Sequence, residues 1–265
     1  MGTSKANNGP VGYSEPIQDW NMERVATDNE SDSNQDNSDQ QTEEDNQQLG
    51  KWGDAKRSFS LFTKSPTKAN YNKFTSSYKK ASGGVKKLST SSIGGRKGAV
   101  VLLDFLTKIS TDGLKETLQN FNIGDIKQLQ AEGAINKISE IFADIDGTDE
   151  GSAATAAAIE TINKLYNDYS ETPELLESLQ IELISEYLQF YLSCYIFERI
   201  SIDVGKALED NKLTIQQVNQ AEVYLKSYIE AEVQLNFNDI DFSTKDVNEQ
   251  NVIVNQIFND AYSLI

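Results

Sequence analysis

The chain has 265 residues, with 41 acids against 24 bases, no histidine and a formal net charge of −17. Without an imidazole it builds no Ser/His/Asp or Cys/His triad, no His-bearing zinc site and no His general base near neutral pH. A single cysteine, Cys194, makes no internal disulfide and no cysteine cluster, so the expected setting is a reducing, cytoplasmic one.

The charge is divided into blocks. Residues 1–50 hold 11 acids and 2 bases, residues 51–100 hold 1 acid and 12 bases, and residues 101–265 hold 29 acids and 10 bases. The reading is a disordered acidic tail over 1–50, a basic helical segment with glycines over 51–98, and an acidic all-helical core over 99–265. Thr27 to Gln48 contains no large apolar side chain to offset the entropy of ordering. Ahead of it, Tyr13, Pro16 and Trp20 form a sparse apolar motif of the kind that docks in a partner's cleft. No signal-peptide pattern opens the chain, and the longest apolar stretch, Tyr187 to Phe197, is far short of the ~20 residues needed to span a bilayer.

In the basic segment Ser65 is the expected N-cap of a helix, with Pro66 in its first turn, and Tyr71, Phe74 and Tyr78 share one face. Together with Phe59 they stand beside Lys79, Lys80, Lys86, Lys87 and Arg96 as candidate docking residues. Two readings of this pattern are a nucleic-acid or phosphate contact and a helix docked by charge against the acidic remainder of the chain or a partner. The net charge of −17 favours the second, because the field of the whole chain repels a phosphate backbone. Gly94-Gly95-Arg96-Lys97-Gly98 lacks the GxxxxGK[ST] spacing of a phosphate loop and reads as a flexible joint before the next helix.

From Ala99 the periodicity is helical. Val101, Leu102, Leu103, Phe105, Leu106 and Ile109 make one broad apolar face that stops at Asp112-Gly113. Shorter helices follow over Leu114 to Phe121, Asp125 to Gln130 and Ile135 to Ile145. Thr148 caps an alanine-rich helix reaching Tyr169. A long central helix is predicted from Thr172 and Pro173 towards Glu209, with Cys194 a packed small hydrophobe inside it. Thr214 and Gln217 have capping-box spacing, with Leu213 and Val218 as a hydrophobic staple, and a last amphipathic helix runs from Val252 to Leu264. No alternating strand series is present, so the fold class is all-α with a bundle-like core.

Two acidic clusters fail as metal sites. Asp144, Asp146, Gly147, Asp149 and Glu150 lack the order of a calcium loop, and Glu182 with Glu186 lacks the histidine partners of a diiron bundle. The expectation is no catalytic residue set, no metal and no cofactor.

The start Met1-Gly2-Thr3-Ser4, followed by Gly9-Pro10, Pro16 and Trp20, resembles the QatB component of the Quatuor (Qat) antiphage defence systems. Lys56-Arg57-Ser58-Phe59, Tyr78-Lys79-Lys80, Ser82-Gly83-Gly84 and Gly94-Gly95-Arg96 are similar to the family's basic, aromatic segment, and Gly147 to Ala158 to its loop and alanine-rich helix. The resemblance implies a non-catalytic subunit acting with an ATPase (QatA), a QueC-like enzyme (QatC) and a TatD-like nuclease (QatD). It further implies that Gly2, Thr3 and Ser4 form the N-terminal substrate of the QueC-like enzyme. Physically the terminus suits that role, since Gly2 is unobstructed, its neighbours are small and a tether carries it away from the fold. A nucleic-acid-binding module using residues 56–97 is the alternative.

Overall fold

The computed structural model describes residues 38–123, 131–142, 148–169, 179–205, 214–234 and 246–265, with side chains from residue 50 onward except at 131, 132 and 247. Every regular element among them is helical. None is long and apolar enough to cross a membrane.

The first two helices, α1 (Ser38–Lys64) and α2 (Lys68–Ala81), form an antiparallel hairpin. Helix α1 begins inside the stretch read from sequence as tail, and it carries Gly50 and Gly53 without a break. Aromatic rings join the pair: Phe59 packs on Phe74 at 4.8 Å, Phe62 on Tyr71 at 6.3 Å, and Trp52 edge-on against Tyr78 at 5.9 Å. The cap of α2 is Thr67 and not Ser65. Ser65 still donates its N–H back to the carbonyls of Leu61 and Phe62, whereas Thr67 is extended (ψ 156°), which lets its hydroxyl accept from the Asn70 N–H at 3.3 Å.

Gly83 and Gly84, at φ 85° and 94°, turn the chain into the short α3 (Val85–Ser91), as two residues without Cβ readily do. Helix α4 (Ile93–Asp112) buries Leu102, Leu103, Phe105, Leu106 and Ile109 and ends at Gly113, as its apolar periodicity predicts. Next come α5 (Leu114–Asn120), α6 (Ala131–Ser139) and the 3₁₀ turn Glu140–Phe142. The helix expected over Asp125 to Gln130 and the end of the one expected at Ile145 lie outside the described residues.

Thr148 caps α7 (Asp149–Asp168), accepting from the Gly151 N–H at 3.1 Å. Thr148→Ala should cost ~1 kcal/mol, the usual worth of an N-cap hydroxyl, read as a shift in the urea midpoint at unchanged slope. Helix α8 (Glu182–Val204) is shorter than predicted. Leu179 and Gln180 are not helical, and Leu179 turns into the core at 2% exposure, so no continuous helix runs from Thr172; Thr172, Pro173 and Glu209 are outside the described residues.

The capping box of α9 (Ile215–Gln234) forms as its spacing predicts. Thr214 Oγ1 accepts from the Gln217 N–H at 3.2 Å, and Gln217 Oε1 accepts from the Thr214 N–H at 3.0 Å. Leu213, the other half of the staple, is not described. The last helix, α10 (Val247–Leu264), starts earlier than its apolar pattern suggested because Asp246 Oδ1 accepts from the N–H groups of Asn248 and Glu249.

Helix α8 is the axis of the fold, packed against α4, α7 and α9. Its apolar circumference explains the position, with Tyr187, Leu188, Tyr191, Leu192, Tyr195 and Ile196 all buried. Ala153, Ala154, Ala157 and Ala158 on α7 are buried too, and their small side chains permit close approach to α4 and α8. The basic segment shares this core: Phe59, Phe62, Tyr71 and Phe74 belong to the same continuous apolar cluster as Leu188 and Phe258.

Candidate functional site

The densest polar constellation is assembled from four stretches of chain around Arg199 of α8. Its Nη1 donates to Ser92 Oγ (2.7 Å), Glu150 Oε1 (3.2 Å) and the Tyr195 hydroxyl (3.2 Å), and its Nη2 donates to Ser91 Oγ (2.8 Å). Asp203, one turn along α8, stands 4.0 Å from Arg199 Nε and accepts from the Tyr78 hydroxyl at 2.7 Å. Ser92, fully buried at the joint of α3 and α4, donates to the Leu88 carbonyl at 2.8 Å and lies 3.0 Å from the Tyr262 hydroxyl of α10. Arg199, Glu150 and Asp203 are each only about 15% exposed.

Glu150, in the first turn of α7, is the hinge of the network. One oxygen receives Arg199 and the Tyr195 hydroxyl, and the other accepts the Gly94 N–H at 3.2 Å, where α4 begins with unsatisfied donors and a positive dipole end. The Tyr191 hydroxyl donates to the Gly95 carbonyl at 2.9 Å. Gly94 and Gly95 are thus buried inside the first turn of α4, and the flexible joint expected there does not exist. A Cβ on Gly94 would lie 3.2 Å from the backbone of Gly151, and one on Gly95 would lie 2.3 Å from the ring of Tyr195. Gly94 is glycine because the backbone of α7 meets α4 there, and Gly95 because the Tyr195 ring occupies the place of a side chain.

A cleft of about 140 Å³ opens over this network, lined by Ser91, Asp149, Glu150, Arg199, Ile202 and Asp203. Burial, reinforced by Glu150 and Asp149, pushes the Asp203 carboxyl above the usual carboxylate range, while the Tyr78 hydrogen bond and Arg199 pull it back. Burial likewise raises the hydroxyls of Tyr78, Tyr191 and Tyr195, which stay protonated donors. The guanidinium donors face acceptors of the same chain, so the arrangement works as a clamp on α2, α3, α4, α7, α8 and α10 rather than as reacting groups aimed at a ligand. Nearby, Cys194 donates to Glu160 Oε2 at 3.2 Å, and Glu160 also pairs with Lys226. Burial and then the Glu160 charge raise the thiol, which makes it a packed hydrophobe and not a thiolate nucleophile.

The residues singled out from sequence fall into three groups. Gly2, Thr3, Ser4, Tyr13, Pro16 and Trp20 lie outside the described residues. Phe59, Tyr71, Phe74 and Tyr78 are at most 4% exposed, and this corrects their reading as docking residues: the apolar face that their spacing predicts is covered by the chain's own core. Of the cations, Lys79 reaches the Ser263 carbonyl at 3.4 Å and Arg96 donates to the carbonyls of Ser89 and Thr90, closing the end of α3. Lys80, Lys86 and Lys87 are exposed and make no ion pair among the described residues. Docking by charge against the acidic remainder is realised in a single ion pair among the described residues, Lys68 with Glu232.

The clamp itself escaped sequence reading. Its signal was Arg199, the one base of α8, with Asp203 one turn on, together with Glu150 beside a helix start. Of the calcium-like cluster, Asp144, Asp146 and Gly147 are not described, and Glu150 is committed to the clamp. Glu186 pairs with Lys164 at 3.3 Å, and no group of three metal-ligating side chains occurs among the described residues.

The sequence model of one protein family, described as Qat anti-phage system associated protein QatB, matches residues 83–265. The match starts at the α2–α3 turn and takes in the whole clamp except Tyr78. No curated protein and no solved structure matches the chain.

Proposed function

The chain belongs to the QatB family and is a component of an anti-phage defence system, and from that premise we propose that it is a helical, non-catalytic adaptor whose N-terminus is the substrate of a QueC-like partner enzyme. The observation that carries the adaptor reading is the clamp. Its guanidinium, carboxylate and phenol groups are consumed in holding helices together, with no nucleophile beside a free base. Partners in this reading are the QatC-like enzyme, together with the QatA ATPase and the QatD TatD-like nuclease. The enzyme meets Gly2, Thr3 and Ser4, presented as an open amine once Met1 is removed. Of the described residues singled out for docking, the buried aromatics leave Lys80, Lys86 and Lys87 as the exposed ones.

A modifying enzyme acting on an N-terminal amine needs a residue without a side chain that obstructs its pocket, and acidic polar sequence behind it keeps the amine clear of the fold. Gly2→Glu retains Met1 and moves the amine by one residue, so it should abolish phage protection while expression and helical content stay unchanged. Intact-mass spectrometry of the chain coexpressed with its QueC-like enzyme gives the direct check. Under full protection the expected N-terminal peptide carries added mass on Gly2; an unmodified Gly2 peptide under those conditions overturns the substrate reading.

A further inference from the structure

From Ala55 to Leu103 the chain contains no acid, and the fold places three bases of that run together at one edge. Lys80 lies in the last turn of α2 and Lys86 and Lys87 in the first turn of α3, with only the turn Ser82-Gly83-Gly84 between the helices. The stem of Lys87 lies back over Gly83, where a Cβ would come within 2.6 Å of it. Their apolar neighbours Tyr78, Ala81 and Leu88 are buried, whereas the three lysines are exposed and make no ion pair among the side chains described from residue 50 onward.

The same edge is where the acidic chain arrives. Trp52 packs on Tyr78 in the last turns of α2, and α1 runs antiparallel to α2, so the backbone of α1 before Trp52 continues past the end of α2. Ser38 is 14 residues before Trp52, about 21 Å at 1.5 Å per residue. Upstream of it, the stretch from Glu15 to Asp36 holds seven acids against the single base Arg24. As a coil that stretch spans on the order of 25 Å, enough to return to the edge, and its tether sets a local concentration in the millimolar range.

We propose that the edge formed by Lys80, Lys86 and Lys87 is the docking surface for the acidic segment Glu15–Asp36 of the same chain. Exposed ion pairs are individually weak, and here the tether supplies what each pair lacks. A nucleic acid is disfavoured at this surface by the −17 charge of the chain. With Glu15–Asp36 held there, the first 14 residues project from this end of the molecule.

The test is zero-length carboxyl–amine crosslinking of the full chain, as an equal mixture of ¹⁴N and ¹⁵N protein, with the links mapped by mass spectrometry. At about 0.05 M NaCl, links from Glu15–Asp36 to the three lysines should exceed those to Lys108, Lys137 and Lys164 several-fold, join residues of one isotope, and fall several-fold at about 0.5 M NaCl as screening shortens. In the K86E/K87E variant, links to the retained Lys80 should fall to the level of the other lysines. Links spread evenly over all lysines, or an unchanged Lys80 link in that variant, overturn the proposal. Mixed-isotope links assign the edge to a second copy instead, and single-stranded DNA bound by the full chain at about 0.15 M salt assigns it to nucleic acid; either result also overturns it.

Discussion

Replacing Arg199 with methionine is expected to lower the unfolding free energy at neutral pH by about 3–5 kcal/mol, because one partner of a buried charge cluster is removed while the others stay behind. Glu150 and Asp203, each about 15% exposed, then keep their carboxylates in a cleft whose only guanidinium has gone. The loss has a defined pH dependence. Asp203 already has its folded-state value raised, first by burial, and Arg199 is one of two influences that hold it down. A carboxyl raised on folding favours the folded state fully at pH below its unfolded value, and that contribution is lost as pH rises through the folded value. Removing Arg199 raises the folded value further, so the deficit of R199M is largest at pH 7 and shrinks as pH falls towards about 5. Urea unfolding followed by circular dichroism at the two pH values measures both effects. The E150Q/R199M pair should be less destabilised than the sum of its single variants, as expected for groups in contact. Strict additivity and a pH-independent deficit would show that the clamp is not electrostatically coupled.

Gly95→Ala should be nearly as severe, at about 2–4 kcal/mol, although it adds one methyl group. That methyl would lie 2.3 Å from Tyr195 Cζ and 2.6 Å from both Cε atoms. The ring has nowhere to retreat: it is fully buried, stacked on Tyr191 at 6.4 Å, 5.4 Å from Phe258, and its hydroxyl is held by Glu150. Moving the helix instead would strip the Gly94–Glu150 and Tyr191–Gly95 hydrogen bonds from the start of α4. Gly53→Ala provides the opposite case in the same protein. Nothing lies within 4 Å of a Cβ at Gly53, an exposed position inside α1, so the change should stabilise by about 0.5–1 kcal/mol through helix propensity alone. Equal thermal shifts of one sign for the two variants would contradict this account of what each glycine does.

Much of the architecture was legible in the chain because its cause is local. Apolar residues at helical spacing define the buried faces of α2 and α4, and all of them except the half-buried Val101 are buried as their periodicity predicts. Thr148 and the Thr214/Gln217 pair act within four residues of themselves, so spacing alone reveals them. The charge blocks and the absence of histidine, which remove whole classes of chemistry, are likewise properties of composition. Other features depend on partners distant in sequence. Gly94-Gly95 reads as a joint until Tyr195 and Gly151 are brought against it, and Tyr71, Phe74 and Tyr78 read as a free aromatic face until α1 covers them. Arg199 reads as one charge on a helix until folding carries Ser92 and Glu150 to it across 107 and 49 residues. The sequence by itself therefore determined the all-helical class and the caps at Thr148 and Thr214, through forces acting over one or two turns, and the charge segregation and the family through its composition and motifs. Only the tertiary structure decided which polar groups are spent on the clamp and which cations stay free, because burial and pairing depend on contacts that exist once the helices have packed.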